Sequence, residues 1–190
     1  MQRKSVAVAV SVGVVAAVLA ACAGTPDRRL PPLALVADVD LARYMGDWYV
    51  IAAIPTVFER DVHNPKENYV LGADGSIATT FTFNEGAFDG TSRRITSTAS
   101  VVAGSGNAVW QQQYLWLLKA DYRISYLAAD YSQVVVTREK RDYAWIMART
   151  PTIAAADLDR LTAFVAAQGY DMSGLRRMPQ VAADARRSPS

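Results

Sequence analysis

The sequence predicts an all-β fold: an eight-stranded antiparallel up-and-down β-barrel, closed on itself, with one C-terminal α-helix packed outside. Three observations lead there. Most of the chain between Val39 and Arg149 alternates with period two, as half-buried strands do. The breaks between the alternating runs are short and rich in turn residues, which suits antiparallel neighbours, because a parallel crossover needs about a dozen residues or more. Only one stretch has helical spacing, and it comes last. Closure removes the unpaired edges that such a set of strands would otherwise expose.

The chain opens with a leader. Gln2, Arg3 and Lys4 form a basic start, Val6–Leu19 is apolar, and small residues follow, which reads as a secretory signal over 1–21. Leu19-Ala20-Ala21-Cys22 resembles the lipobox of bacterial lipoproteins, in which cleavage before the cysteine leaves it lipidated. Cys22 is the chain's one cysteine, so no internal disulfide is possible. Residues 22–38, with three prolines in AGTPDRRLPPLAL, read as a lipidated tether, 39–178 as the barrel with its helix, and 179–190 as a disordered tail.

Eight strands follow in order: Trp48–Ile54, Glu67–Ala73, Ser76–Asn84, Arg93–Ala103, Ala108–Leu115, Asp121–Ala129, Gln133–Arg138 and Tyr143–Arg149. In Ser76–Asn84, Ile77, Thr79, Phe81 and Phe83 share one face, and Ala78, Thr80 and Thr82 the other. Asp74-Gly75, Gly86 to Gly90, Gly104-Ser105-Gly106-Asn107 and Lys140-Arg141-Asp142 supply the turns. Over Ile153–Gln168, Leu158, Leu161 and Val165 recur at helical spacing, with Thr150 or Thr152 as N-cap and Gly169 as the stop.

Charge and motifs exclude several function classes. Arg3 and Lys4 lie in the leader, which has no acidic residue, so the remainder carries 18 basic and 18 acidic residues and offers no excess of positive charge for nucleic acid. No nucleophile elbow occurs; Gly104-Ser105-Gly106 is a turn, and it lacks the third glycine and the helix of a phosphate loop. His63, the one histidine, falls in the Pro55–Pro65 loop and reads as an ordinary loop residue; with no second histidine and no further cysteine, no metal site and no cofactor is implied.

Tyr44-Met45-Gly46-Asp47-Trp48-Tyr49, Phe58-Glu59-Arg60, Ala129-Asp130-Tyr131 and Arg141-Asp142-Tyr143-Ala144-Trp145 through Arg149 resemble the lipocalin family, more closely its bacterial outer-membrane lipoproteins, over about Asp40 to Met172. In an up-and-down barrel Gly46 and Trp48, Asp130 and Tyr131, and Arg149 all fall at one end. There an indole can plug the barrel under the Arg149 guanidinium. Ala129 stands where the family usually has threonine, and the disulfide by which many secreted relatives pin the C-terminal segment is absent.

The resemblance implies a protein that binds, stores or transports a small hydrophobic ligand, a fatty acid or lysophospholipid, and is not an enzyme. The expected ligand contacts are Phe58, Tyr69, Phe81, Phe83, Tyr114, Trp116, Tyr126 and Trp145. It further implies anchorage through Cys22 on the periplasmic face of the outer membrane, as monomer or homodimer. Two alternatives are a lipid-modifying enzyme on the same barrel and an envelope stress protein that acts on a protein partner.

Overall fold

The structure, a computed structural model, describes residues 30–56, 59, 61–114 and 118–181, without the side chains of Tyr114 and Leu118. A four-residue helix α1 (Leu41–Tyr44), capped by the Asp40 side chain accepting from Arg43 N, leads into the strands β1 (Gly46–Ile54), β2 (Val62–Leu71), β3 (Ile77–Glu85), β4 (Ser92–Val101), β5 (Val109–Tyr114), β6 (Leu118–Leu127), β7 (Gln133–Thr137) and β8 (Ala144–Ala148). Helix α2 (Ala155–Ala167) and a two-residue strand β9 (Arg176–Arg177) follow. Each of the eight main strands pairs antiparallel with its successor, and β1 pairs with both β8 and β2, so the sheet closes into a barrel.

Two bulges decide which side chains face inward. Between Val50 and Ala52 the register of β1 against β8 shifts, and between Ile124 and Tyr126 that of β6 against β7. An extra residue exchanges the two faces of a strand. Tyr122 and Ile124 therefore belong to the barrel interior, while Tyr126 packs outward under α2 with its ring 5.8 Å from Phe164.

Helix α2 buries Leu158, Leu161 and Val165 against the outer faces of β1, β7 and β8, where Ile51, Ala52, Val135 and Ile146 lie. Its stop at Gly169 is the expected one. Its start is not: the N-cap is Ala154, with no side-chain cap, because the Thr150 hydroxyl turns instead to Thr152 O.

The second strand starts at Val62 rather than Glu67, which places His63 in β2 and not in a loop. Val62 to Lys66 lacks alternation and contains Pro65, and the register against β3 shifts between His63 and Lys66, an irregularity that tolerates a proline. Beside this irregular half, β1 and β2 part, and the C-terminal segment fills the seam. Strand β9 pairs with Ala52 and Ala53, Met178 N donates to Ile51 O, Asn64 N to Pro179 O, and Gln180 Nε2 to both Val50 O and Pro65 O. Pro179–Val181, assigned from sequence to a disordered tail, thus belong to the fold. So does the last part of the expected tether: Leu33 is buried, Val36 N donates to Ile124 O, and Val39 N to Gly106 O.

Candidate functional site

One end of the barrel is sealed. Gly46 enters β1 at φ +92, a left-handed conformation that disfavours any side chain, and this turn drops Trp48 into the centre with no solvent exposure. The Arg149 guanidinium lies 3.9 Å over the Trp48 ring. Its Nη1 donates to Asp47 O, and its Nη2 to Arg43 O and Tyr44 O. Burial lowers the pKa of this guanidinium. From the β6–β7 turn, Tyr131, itself at φ +63, takes a hydrogen bond from Asp40 N and lies 4.0 Å under Arg43, while Asp130 caps its turn by accepting from Ser132. Gly46, Trp48, Asp130, Tyr131 and Arg149 therefore all sit at this one end.

Above that floor stands an aromatic cluster in which Trp110 and Tyr122 stack at 4.7 Å and Tyr44 meets Trp48, Tyr69 and Trp110. The Tyr122 hydroxyl donates to Tyr69 at 2.9 Å. Having one hydrogen, it must therefore accept from Tyr44 at 2.7 Å. Burial pushes the Tyr44 and Tyr122 phenols well above their ordinary range, so they stay neutral and act only through this relay.

Over the cluster is a recess of about 20 Å³ lined by Glu67, Tyr69, Gln112, Tyr122, Trp145 and Met147. Glu67 is half-buried overall, but its Oε2 is out of solvent and has no hydrogen-bond partner among the described residues. Burial, helped by the nearby Glu59 carboxylate, raises the Glu67 carboxyl to about 8. Glu59 is buried as well, its Oε1 accepting from Trp145 Nε1 and its Oε2 from Thr56 N, each at 2.8 Å. Toward the mouth the wall turns apolar: Phe81 and Phe83 meet at 5.2 Å, and Ile95, Ala120 and Trp145 are inner positions that remain half-buried. A separate cleft of about 460 Å³ lies outside the barrel between β9 and the β8–α2 connection. Thr152 and Arg177 on its walls are exposed, and Gln180 lines it as well.

Of the ligand contacts expected from sequence, Tyr69, Phe81, Phe83 and Trp145 face the interior. Tyr126 does not; the β6 bulge turns it to α2, where Arg160 lies 5.2 Å from its ring. Phe58, Trp116 and Cys22 lie outside the described residues, as does the side chain of Tyr114. Sequence reasoning missed Glu67, although counting back by two from Tyr69 places it on the same strand face. It also missed Glu59 as a partner of Trp145, since no local spacing links residues 86 positions apart.

A family model described as a lipocalin-like domain matches residues 39–180. The outer membrane lipoprotein Blc of Escherichia coli strain K12 is 28% identical over 158 residues, covering 82% of this chain and 86% of the relative. Temperature-induced lipocalin-1 of Arabidopsis thaliana is 26% identical over 155 residues, 77% of this chain and 82% of that one. Among solved structures, insecticyanin from the tobacco hornworm Manduca sexta superposes with a TM-score of 0.62 at 13% identity, over 82% of this chain and 87% of the other.

Proposed function

This chain belongs to the lipocalin-like family, and from that premise we propose that it binds and carries a small hydrophobic ligand in the upper barrel. One observation carries the reading: the barrel is plugged by Trp48 and Arg149 at one end, while buried Phe81 and Phe83 and half-buried Ile95 and Trp145 form an apolar wall toward the other. Such a wall stabilises a guest by about 25 cal/mol per Å² of apolar surface taken from water, and needs no covalent chemistry. Fatty acids and lysophospholipids are the ligand classes to try first, because a single acyl chain matches a narrow, closed cup.

Binding is favoured over catalysis by the state of the two inner carboxyls. Both oxygens of Glu59 are engaged by donors, and Glu67 carries its proton at neutral pH, so neither is placed as a free base. For location, the leader and Cys22, together with the E. coli relative described as an outer membrane lipoprotein, support a lipid-anchored place in a bacterial envelope.

Native mass spectrometry of purified protein carrying Cys22→Ser, titrated with palmitate and a lysophospholipid, tests the reading. Adducts that saturate at one per chain and weaken severalfold in Phe81→Asp support it. Protein that takes up neither lipid rules out these classes, and indifference of the adducts to Phe81 rules out the cup.

A further inference from the structure

The recess over the floor has hydrogen-bonding capacity that the protein does not use. Among the described residues Glu67 Oε2, on the recess wall, is buried without a partner; Thr79 Oγ1, on the adjoining strand opposite Tyr69 and outside the recess lining, is likewise buried and unpartnered, with Thr79 4% exposed. Buried polar groups are nearly always partnered, so an orphan carboxyl oxygen on the recess wall marks a place where something else supplies the contact. The Glu67 oxygen can accept. The second carboxyl, Glu59, adds negative charge nearby, and the groups lining the recess include no Lys, Arg or His among the described residues. At about 20 Å³ the recess exceeds the 10–15 Å³ or so that one water needs, yet it is far too small for an acyl chain.

We infer that the recess receives the polar end of a single-chain amphiphile, inserted head first, and that this end is a primary ammonium in preference to a carboxylate. An ammonium is about the size of a water molecule and brings three donors, one of which Glu67 Oε2 can accept. A carboxylate is larger, and once Glu67 is ionised it offers only acceptors to an acceptor and meets like charge. The alkyl chain then runs along Phe81, Phe83 and Ile95 toward the mouth. The inference rests on the reading of the barrel as a ligand cup and adds which end of the ligand lies deepest.

Protonation gives the site a signature. The titratable groups facing Glu67 are Glu59 from the β1–β2 connection, Tyr44 from α1, Tyr69 beside it on β2, and Tyr122 from β6. With the Tyr44 and Tyr122 phenols neutral, Glu67 is a group here that changes charge near neutrality. An ammonium favours the ionised carboxylate and displaces its proton, so amine affinity rises with pH toward about 8, by up to tenfold per unit, and then levels. A neutral alcohol gains nothing from that ionisation.

The experiment is calorimetric titration of the purified protein with decylamine, decanol and decanoate, each below its aggregation threshold, at pH 6, 7 and 8. Decylamine is expected to bind at least tenfold more tightly than decanol at pH 8, with the predicted pH dependence. Glu67→Gln should remove both the preference and the pH dependence while leaving decanol within twofold. Glu67→Asp, which keeps the charge but withdraws the carboxyl from the recess, should weaken decylamine severalfold and serves if the Gln variant folds poorly. Equal affinities for the three probes, or an amine preference that survives Glu67→Gln, would overturn the inference while leaving the cup intact, and the recess would then hold water alone. Binding of none of the three by the parent protein would instead overturn the cup itself, and the inference with it.

Discussion

The floor and the recess above it are built from the same strands, a few residues apart, and treat their polar groups in opposite ways. At the floor every group of consequence is engaged: Arg149 donates to three carbonyls and covers Trp48, and Trp48 Nε1 donates to Tyr44 O at 2.9 Å. In the recess Glu67 Oε2 is buried with no partner among the described residues. A satisfied network rigidifies, whereas an unsatisfied one costs stability and is kept where a ligand can complete it. The comparison assigns stability to one layer and ligand recognition to the next, and truncations in the two layers should therefore move stability in opposite directions.

Trp48→Ala gives the largest expected effect. It empties the centre of the floor, orphans the Arg149 guanidinium, and should cost about 4 kcal/mol, read as a lower midpoint in urea. A loss below about 1 kcal/mol would show that the floor is not where the barrel's stability lies.

Glu67→Leu should do the reverse and stabilise by about 2 kcal/mol at pH 9, since it removes a carboxyl whose charge is poorly solvated. The pH dependence has a definite sign. In the folded chain Glu67 holds its proton up to about 8, against 4.5 in the unfolded one, so between these values the folded state binds more protons. Its stability therefore falls as pH rises through that window, by at most about 1.4 kcal/mol per unit. Unfolding midpoints at pH 5 and pH 8 should differ in the parent protein and differ less in Glu67→Leu. An identical profile in the two proteins would remove the buried carboxyl from the account.

Much of this architecture was legible in the sequence. Period two in Ser76–Asn84 placed Ile77, Thr79, Phe81 and Phe83 together on one face, and they line the interior in that order. Turn residues marked the strand ends to within a few positions, and Gly169 marked the end of α2. What the sequence concealed depends on closure and on bulges. Glu59 and Trp145 meet because the barrel wraps around, and Glu67 appeared at the edge of a strand because the five residues before it follow no pattern. The ends of the domain were hidden for another reason: Leu33 to Asp38 and Pro179 to Val181 are held mostly through backbone groups, which every sequence possesses.

Tyr126 gives a smaller and more discriminating test, because the simple alternation of β6 and the bulge in that strand disagree about where it points. Tyr126→Ser should cost about 1 kcal/mol through lost packing on Phe164, and leave ligand affinity unchanged. A severalfold loss of lipid binding at unchanged stability would return Tyr126 to the interior and remove the bulge between Ile124 and Tyr126.

The smallest effect belongs to Lys66→Ala, on the outer face directly beside Glu67. Lys66 Nζ lies 2.6 Å from Asp47 Oδ2, a short ion pair at the barrel's sealed end, with side chains 32% and 45% exposed. Water and salt screen such a pair, and Asp47 keeps a second donor in Asn68, so the loss should stay under about 0.5 kcal/mol. The two neighbours then make the comparison within three atoms of backbone. One substitution removes a well-paired exposed charge and changes almost nothing, and the other removes an unpaired buried carboxyl and changes the pH profile, because partners and solvent, not charge alone, set what a residue contributes. Should Lys66→Ala shift the unfolding midpoint as far as Glu67→Leu does, the contrast between the outer and inner faces of β2 would not hold.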